Sequence, residues 1–268
     1  MSSPVETSVK VGAVHRTGPS RTGVRRRFEV IASTCPPKGM FASLDVYHDI
    51  DSRSAAMNMA VDEALLEIAK VPTIRFYQWD HSALSFGYFG KFEEVNSHDR
   101  DIVRRWTGGG IVFHGEDLTY SVVIPATDDA FAKSSKQIYE EAHRAVRHAL
   151  INHGVFAELS PVAGAYERPT KNPALVERRY NECFANPVRA DVVLNGRKIA
   201  GAAQRRTRHG LLHQGSIQGV DLGNGFADRF AENLSQQTNP KQLNDPLIVR
   251  AQQIAKEKYD TAAWLKRR

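Results

Sequence analysis

Cysteine is scarce in this chain, which holds only Cys35 and Cys183 among 268 residues. The two lie far apart and form no Cys-x-x-Cys pair, so the sequence excludes a disulfide framework. A chain that needs no disulfides fits a reducing compartment, and we expect a cytoplasmic location.

Long apolar runs and metal-binding patterns are also missing. No apolar segment approaches the roughly 20 residues that a membrane helix requires, and no apolar core follows the first basic residues as in a secretory signal. Histidine is common, but His143, His148 and His153 are spaced by five, which on a helix turns each by about 140° from the last. Three such side chains do not converge on one ion, so we expect neither a membrane span nor a metal site.

The positive charge is confined to one end of the chain. The formal net charge is +6, and residues 1–40 hold seven basic residues against Glu6 and Glu29, which gives 7 − 2 = +5. The basic residues are Lys10, Arg16, Arg21, Arg25, Arg26, Arg27 and Lys38. The remaining residues are therefore nearly neutral, and no specific nucleic-acid surface is expected.

Composition divides the chain into two parts. Residues 1–40 are rich in Ser, Thr, Gly, Pro and Arg and show little periodicity, which predicts a disordered basic extension, with Met40 as a possible start. Residues 41–268 have ordinary apolar content and are long enough for a sizeable core, so we expect a single domain there.

The pattern of that domain predicts an α+β fold. Strands are expected at 44–47, 74–79, 83–88, 102–105, 111–114, 118–125, 155–159, 188–194, 198–203 and 210–218. Helices are expected at 54–70 and 133–153 and near 225–235, 246–257 and 260–267. Strands dominate the middle, and the two long helices are placed to cover one face of a mixed, largely antiparallel sheet. In the first helix Val61, Leu65 and Ile68 form the apolar face, with Asn58 and Asp62 mostly opposite.

The chain is organised around residues 104–125, RRWTGGGIVFHGEDLTYSVVIP. Three glycines let the backbone adopt positive φ and leave N–H groups open to a ligand, and two arginines supply fixed charge beside them. The alternative is a Gly-rich hairpin whose arginines are merely solvated. The residues of this stretch alone leave both interpretations open.

Two reactive side chains lie farther along. Lys198 begins a strand with small neighbours, which leaves room for something to lie along it, although a lysine at a strand end is usually a solvated charge. Cys183 lies 15 residues earlier (198 − 183); a lone cysteine is usually a small buried hydrophobe, but an adjacent ammonium would favour its nucleophilic thiolate. These residue types permit nucleophilic catalysis without requiring it.

Four segments together resemble one family. They are Asn58 to Glu63, the glycine stretch, the segment from Gly196 to Gln204, and the segment from Leu211 to Ser216. In order and spacing they resemble the lipoate–protein ligases and octanoyltransferases, which are relatives of the biotin ligase catalytic domain, over roughly residues 43–268. The resemblance implies a mixed sheet with helices packed around it.

The resemblance also implies functional residues. The family's invariant lysine matches Lys198, and octanoyltransferases of the Cys-Phe type have a reactive cysteine at the position of Cys183. The predicted catalytic residues are therefore Cys183 and Lys198. The predicted substrate-binding residues are Arg104, Arg105, Gly108, Gly109, Gly110, Ile111, Val112, His114, Gly201 and Ala202.

Two reactions fit that resemblance. A transferase would move an octanoyl or lipoyl group from acyl carrier protein, through a Cys183 thioester, to a lysine of a lipoyl domain, with no cofactor. That domain would belong to the glycine-cleavage carrier or a 2-oxoacid dehydrogenase subunit. A ligase would use free lipoate, ATP and Mg²⁺ through lipoyl-AMP. Gly110 and Asp191 favour the ligase, whereas residues 115–121 and Ala190, where the ligases have asparagine, favour the transferase. We therefore expect the transferase, with the ligase as the alternative. A third possibility is an inactive binding module of the same fold.

Overall fold

The computed structural model describes residues 39–161, 184 and 187–267. Residues 36–268 belong to one compact unit. The predicted disorder of residues 1–40 falls almost entirely outside the described residues and stays a prediction. Among the described residues, no helix has both the length and the apolar character needed to cross a bilayer.

Each predicted strand and helix is present, with most ends moved by a few residues. The strands are β1 (Leu44–His48), β2 (Thr73–Tyr77), β3 (Ala83–Phe86), β4 (Asp101–Arg104), β5 (Val112–His114), β6 (Leu118–Pro125), β7 (Glu158–Leu159), β8 (Val192–Leu194), β9 (Arg197–Arg206), β10 (Gly210–Ile217) and β11 (Thr238–Lys241). The helices are α1 (Ala55–Ile68), α2 (Ser135–Ile151), α3 (Phe226–Leu234), α4 (Asp245–Ile254) and α5 (Ala262–Leu265). A π-helical turn, Ala255–Tyr259, continues α4.

The strands form an eight-stranded sheet in the order β11-β1-β2-β6-β10-β9-β8-β7 and a small sheet in the order β4-β3-β5. In the large sheet β1 pairs in parallel with β2 and β11, and the other pairings are antiparallel. The predicted α+β class with a mixed, largely antiparallel sheet is confirmed. The glycine stretch lies between the end of β4 and the start of β5, so the small sheet fixes both of its ends.

Helices cover both faces of the large sheet, which corrects the expectation that they cover one. Neighbouring residues of a strand point to opposite faces. On β6, Val122 belongs to a core cluster with residues of α2 and α3, whereas Val123 belongs to a second cluster with residues of α1 and α4. The central strands β6 and β10 are therefore buried almost throughout.

The buried face of α1 was also wrongly predicted. The helix begins as expected, with the Ser54 side chain accepting the Met57 N–H (3.3 Å). Asn58 and Asp62, predicted to face solvent, are fully buried, whereas Ile68 is 46% exposed. The helix is enclosed by the sheet on one side and by α4 with its π-helical turn on the other, so polar residues inside it pair with polar residues of the strands.

Candidate active site

The glycine loop, residues 108–110, is held in place by the side chain of Arg105. Its guanidinium donates hydrogen bonds to the carbonyl oxygens of Gly108 (3.0 Å) and Gly110 (2.8 Å). Gly109 between them has φ +85°, a conformation that glycine adopts at little cost. A Cβ at Gly87 would lie 2.0 Å from the Gly109 carbonyl oxygen, so the loop packs directly on the backbone of the neighbouring segment.

Arg105 also begins a chain of buried hydrogen bonds below the loop. It donates to Ser85 Oγ (2.6 Å), which lies 2.6 Å from His114 Nε2. His114 Nδ1 lies 2.8 Å from Asp117 Oδ2. With a carboxylate at Nδ1, the imidazole is assigned as an Nδ1–H donor whose Nε2 accepts the Ser85 hydroxyl. The chain thus connects an acidic anchor to the loop carbonyls.

His114 is held as a buried, neutral ring. Burial lowers its pKa, and the nearby Asp117 only partly offsets this effect. Its ring stacks on Trp79 with centroids 4.0 Å apart. Burial would raise the pKa of Asp117, but hydrogen bonds from His114, Ser216 and Thr119 outweigh it and leave that pKa lowered. These contacts favour an orienting role for His114 over that of a proton shuttle.

An apolar pocket lies above this hydrogen-bonded floor, between α1, β5, β9 and β10. The pocket is narrow, with a cavity volume of about 30 Å³. Its apolar walls come from Met59, Tyr77, Trp79, Val112, Phe184, Gly201, Ala202, Ala203 and Gly215. Its polar groups come from Ser85, Arg105, His114, Thr119, Gln214 and Ser216. A pocket with mostly apolar walls and few polar groups suits a short aliphatic chain.

Lys198 lies beside this pocket, and its side chain runs along its own strand. A Cβ at Gly201 would lie 2.3 Å from Lys198 Cε and 2.5 Å from Nζ. The small neighbours that the sequence shows around Lys198 therefore make room, first of all, for the lysine side chain. The side chain is only 6% exposed, so the solvated-surface alternative for Lys198 does not hold.

The Lys198 ammonium is paired with a buried carboxylate. Its Nζ lies 2.8 Å from Asp191 Oδ2, which also accepts the Val188 N–H (2.6 Å). Asp191 Oδ1 accepts a short hydrogen bond from the hydroxyl of Tyr139, on α2. The same hydroxyl accepts the Ala202 N–H (3.2 Å). One phenol thus fixes both the carboxylate that holds the lysine and the strand that lines the pocket.

The predicted nucleophile, Cys183, lies outside the described residues. Its neighbour Phe184 is described, and its ring centroid lies 5.5 Å from Lys198 Nζ. Phe184 also lines the apolar pocket. The assignment of Cys183 as nucleophile therefore stays a prediction.

The other predicted substrate-binding residues separate into three places. Val112, Arg105 and His114 line the apolar pocket together with Gly201 and Ala202. Gly108 and Gly109 line a wider groove of about 730 Å³. This groove adjoins the pocket, because Ala202 and Ala203 line both. Gly109, Gly110 and Ile111 line a third cavity of about 270 Å³ on the far side of the loop.

Arg104 is placed differently from the other predicted residues. Its guanidinium donates hydrogen bonds to five backbone carbonyls, those of Tyr88, Gly90, Trp264, Leu265 and Arg267. It lines neither the pocket nor the groove. These contacts show Arg104 fastening the C-terminal segment to the small sheet, and its predicted substrate contact stays untested.

Three residues that complete the site were not singled out as such from the sequence. Gln214 donates to Asp62 Oδ2 (2.8 Å) and its Oε1 accepts the hydroxyl of Thr107 (2.8 Å), which joins helix α1 to the glycine loop. Tyr139 and Ser85 were missed as well. Each pairs with a residue far along the chain, and no local pattern marks such a pairing.

Comparisons with known proteins identify the relatives of this chain. The family model described as the lipoyl protein ligase A/B catalytic domain matches residues 54–246. The octanoyltransferase LipM of Brevibacillus brevis is 31% identical over 271 residues, which cover 81% of this chain and 97% of LipM. LipM of Halalkalibacterium halodurans is 31% identical over 277 residues, which cover 82% and 99%.

A solved structure shares the fold. It is a bipartite lipoate protein ligase from Thermoplasma acidophilum, studied with its E2 lipoyl domain, with a TM-score of 0.59 and 19% identity. The likeness covers 85% of this chain and 96% of that chain. At this identity the similarity concerns the arrangement of strands and helices.

Proposed function

The chain belongs to the lipoyl protein ligase A/B catalytic-domain family, and from that premise we propose that it is an octanoyltransferase of lipoate metabolism. The observation that carries the proposal is the buried Lys198 ammonium, fixed by Asp191 beside an apolar pocket. The two LipM relatives, which align with this chain over nearly their full length, are octanoyltransferases.

The narrow apolar pocket and the groove that adjoins it would together hold the acyl chain. Each methylene buried there contributes about 0.8 kcal/mol, so a chain of eight carbons binds without any charge contact. The polar floor stays satisfied by its own hydrogen bonds when an aliphatic chain covers it. This arrangement suits an octanoyl group and also a lipoyl group, which is why both remain as substrates.

In the first step the donor would be octanoyl-acyl carrier protein. The Cys183 thiolate attacks the thioester carbonyl carbon; the new carbon–sulfur bond forms, and the carrier's thiolate leaves and takes up a proton. Lys198, held by Asp191, would stabilise the attacking thiolate. Support comes from Phe184, the residue after Cys183, whose ring faces the Lys198 ammonium. Thioester exchange is nearly isoenergetic, so the step needs no ATP.

In the second step the acceptor would be a lysine of a lipoyl domain, in the glycine-cleavage carrier or a 2-oxoacid dehydrogenase subunit. Its neutral amine attacks the acyl carbon, loses a proton, and the Cys183 sulfur leaves. Amide formation from a thioester is downhill. The backbone N–H groups of the glycine loop would stabilise the oxyanion that develops in both steps. Arg105 keeps the loop in one conformation by its hydrogen bonds to the loop carbonyls.

The experiment that tests this proposal is a gel shift of an apo lipoyl domain. Modification by octanoyl-acyl carrier protein without ATP supports the transferase. Modification that requires ATP, Mg²⁺ and free octanoate or lipoate would establish the ligase instead. Failure under both conditions would leave the binding module.

The Cys183 thioester is tested separately with cysteine variants. We expect Cys183→Ala to abolish a hydroxylamine-sensitive acyl-enzyme detected by intact-mass spectrometry. Cys35→Ala, which removes the other cysteine, is the matched control and should keep the acyl-enzyme. An acyl-enzyme that persists in Cys183→Ala would refute the assignment of the nucleophile.

A further inference from the structure

Three cations and three aromatic rings alternate in a closed ring near the glycine loop. The cationic ring consists of Arg205, Lys258, Arg267, Tyr88, Trp106 and Trp264. Tyr88 lies between Arg205 and Arg267, each 4.9 Å from its centroid. Trp106 lies between Arg205 (5.4 Å) and Lys258 (4.0 Å), and Trp264 lies between Lys258 (4.4 Å) and Arg267 (5.7 Å).

The cationic ring carries excess positive charge. Among the described residues, Glu63 is the only carboxylate within 4 Å of its three cations; it lies 2.6 Å from Lys258. The balance is 3 − 1 = +2. Burial lowers the pKa of Lys258, and Arg205 and Arg267 lower it further. Like charges held this close repel one another, and aromatic faces offset only part of that repulsion. An anionic partner would complete the balance.

The cationic ring lies at the rim of the candidate site. The Tyr88 N–H donates to the carbonyl of Thr107 (2.8 Å), the residue before the glycine loop. Arg205 lies on β9 just beyond Ala203, which lines both the pocket and the groove. The Lys198 ammonium lies level with Gly201, four positions before Arg205 on the same strand, which corresponds to about 13 Å at a rise of about 3.3 Å per residue.

That distance distinguishes the two protein substrates of the proposed function, on which this inference rests. A lipoyl domain presents its amine on a lysine side chain, so its surface must come close to the reacting carbon. A carrier protein presents its thioester at the end of a long phosphopantetheine arm. Only the second kind of partner can dock at the cationic ring while its acyl group lies beside Lys198.

We propose that the cationic ring is the docking surface for an acidic acyl carrier protein that delivers the octanoyl thioester. The carrier's carboxylates contact Arg205 and Arg267, and its arm follows β9 past Ala203 into the pocket. Exposed Phe89, next to Tyr88 in the chain, extends the surface with an apolar contact. Charge complementarity of this kind acts mainly on the association rate.

The test compares two donors in the first half-reaction, followed as acyl-enzyme by intact mass. One donor is octanoyl-acyl carrier protein, and the other is octanoyl-N-acetylcysteamine, which has the thioester but no protein. We expect R205E and R267E each to lower kcat/KM for the carrier-bound donor about tenfold, in the range of electrostatic steering. Their kcat/KM for the small thioester should change less than twofold.

R208E is the matched control, because Arg208 is exposed near the end of the same hairpin and undergoes the same charge reversal. It should leave both donors unaffected. Equal losses for both donors, an equal loss in R208E, or a loss confined to transfer onto the lipoyl domain would overturn the proposal.

Direct binding separates this inference from the proposed function. Titration of the carrier protein without its acyl group, but with its phosphopantetheine arm, into the unmodified enzyme at low salt measures binding without acyl transfer. Binding that weakens about tenfold in R205E supports the docking surface even in an inactive protein. Binding that R205E leaves unchanged refutes it, whatever reaction the enzyme catalyses.

Discussion

Two buried cations of this protein, Arg75 and Lys198, are paired with carboxylates in different ways. Arg75 is fully buried, and its guanidinium donates to both Asp49 (2.7 Å) and Asp62 (2.9 Å). It also donates to the backbone and side-chain oxygens of Asn58 and lies 4.0 Å from the ring centroid of Tyr77. Every side of this cation is occupied by the protein.

Lys198 has fewer partners. Among the described residues its ammonium contacts one carboxylate, that of Asp191, and the ring of Phe184. An ammonium has three N–H donors, so these contacts with described residues do not use all of them. Buried charges are usually satisfied by the fold, as at Arg75. A buried ammonium that the fold satisfies only in part can stabilise a negative charge that appears during a reaction.

The largest effect that tests this comparison is expected at Arg75. Arg75→Met leaves Asp62 buried without a cation, while Asp49 keeps only Arg53, which should lower the free energy of unfolding by about 3–5 kcal/mol. The measurement is denaturant unfolding at neutral pH. Arg250→Met removes an exposed pair with Glu67 and serves as control, with an expected loss below about 1 kcal/mol. A loss as small as this in Arg75→Met would show that saturation of a buried cation is not what stabilises this core.

At Lys198 the main effect is expected on activity. Lys198→Met should lower kcat for octanoyl transfer about 10²-fold, because losing the ammonium that stabilises the Cys183 thiolate by about two pKa units leaves that much less thiolate at neutral pH. Because this variant leaves Asp191 buried, the double variant Lys198→Met/Asp191→Asn serves as control for stability. It should unfold close to the unmodified protein yet remain inactive. Recovery of activity in the double variant would reduce Lys198 to a partner of Asp191.

The sequence predicts the surroundings of Lys198 better than those of Arg75. Lys198 and the glycine loop follow from local pattern and family resemblance, and so does the β8–β9 turn, where Asn195 and Gly196 adopt φ +51° and +77°. The burial of Asn58 and Asp62 could not be predicted, because their partners lie on strands far along the chain. Helical periodicity places polar residues outside unless a distant partner is known.

A strand was missed for a similar reason. β11 has the sequence Thr-Asn-Pro-Lys, which has weak strand propensity and contains a proline. It forms at the sheet edge, where proline's missing N–H costs no ladder bond, by pairing in parallel with β1. Tertiary pairing decided this element, as it decided the contact between Tyr139 and Asp191.

On acidification, the buried histidines near Lys198 should lower the free energy of unfolding at a higher pH than the carboxylates that pair with Arg75. Burial lowers the pKa of His143 to about 4 and that of His213 to about 3, so both stay neutral in the folded protein. In the unfolded chain they bind protons below about pH 6.5, so each makes stability fall by about 1.4 kcal/mol per pH unit between there and its folded pKa. Asp49, whose pKa is lowered, loses stability only below about pH 4.

Unfolding free energies measured from pH 7 to pH 4.5 check this order. His143→Asn keeps a donor for the Ala190 carbonyl, which His143 Nδ1 contacts at 2.7 Å, and should make the decline shallower. His81→Gln, at an exposed histidine, should not change it. An unchanged slope in His143→Asn would show that the buried histidines do not cause the acid sensitivity.

The smallest effect is expected at Tyr139, the hydrogen-bond partner of Asp191. Tyr139→Phe removes the hydroxyl that orients this carboxylate and that accepts the Ala202 N–H, while the lysine and the pocket remain. Asp191 keeps its contacts with Val188 and Lys198, so we expect kcat to fall about tenfold, the value of one charged hydrogen bond of roughly 1.5 kcal/mol, with KM nearly unchanged. Tyr47→Phe, at a half-buried tyrosine on β1, is the control.

Because a less ordered carboxylate holds the ammonium less well, the pH–rate profile of Tyr139→Phe should shift. A uniform loss of activity at every pH would mean that Tyr139 supports the strand alone and that Asp191 orders Lys198 without it.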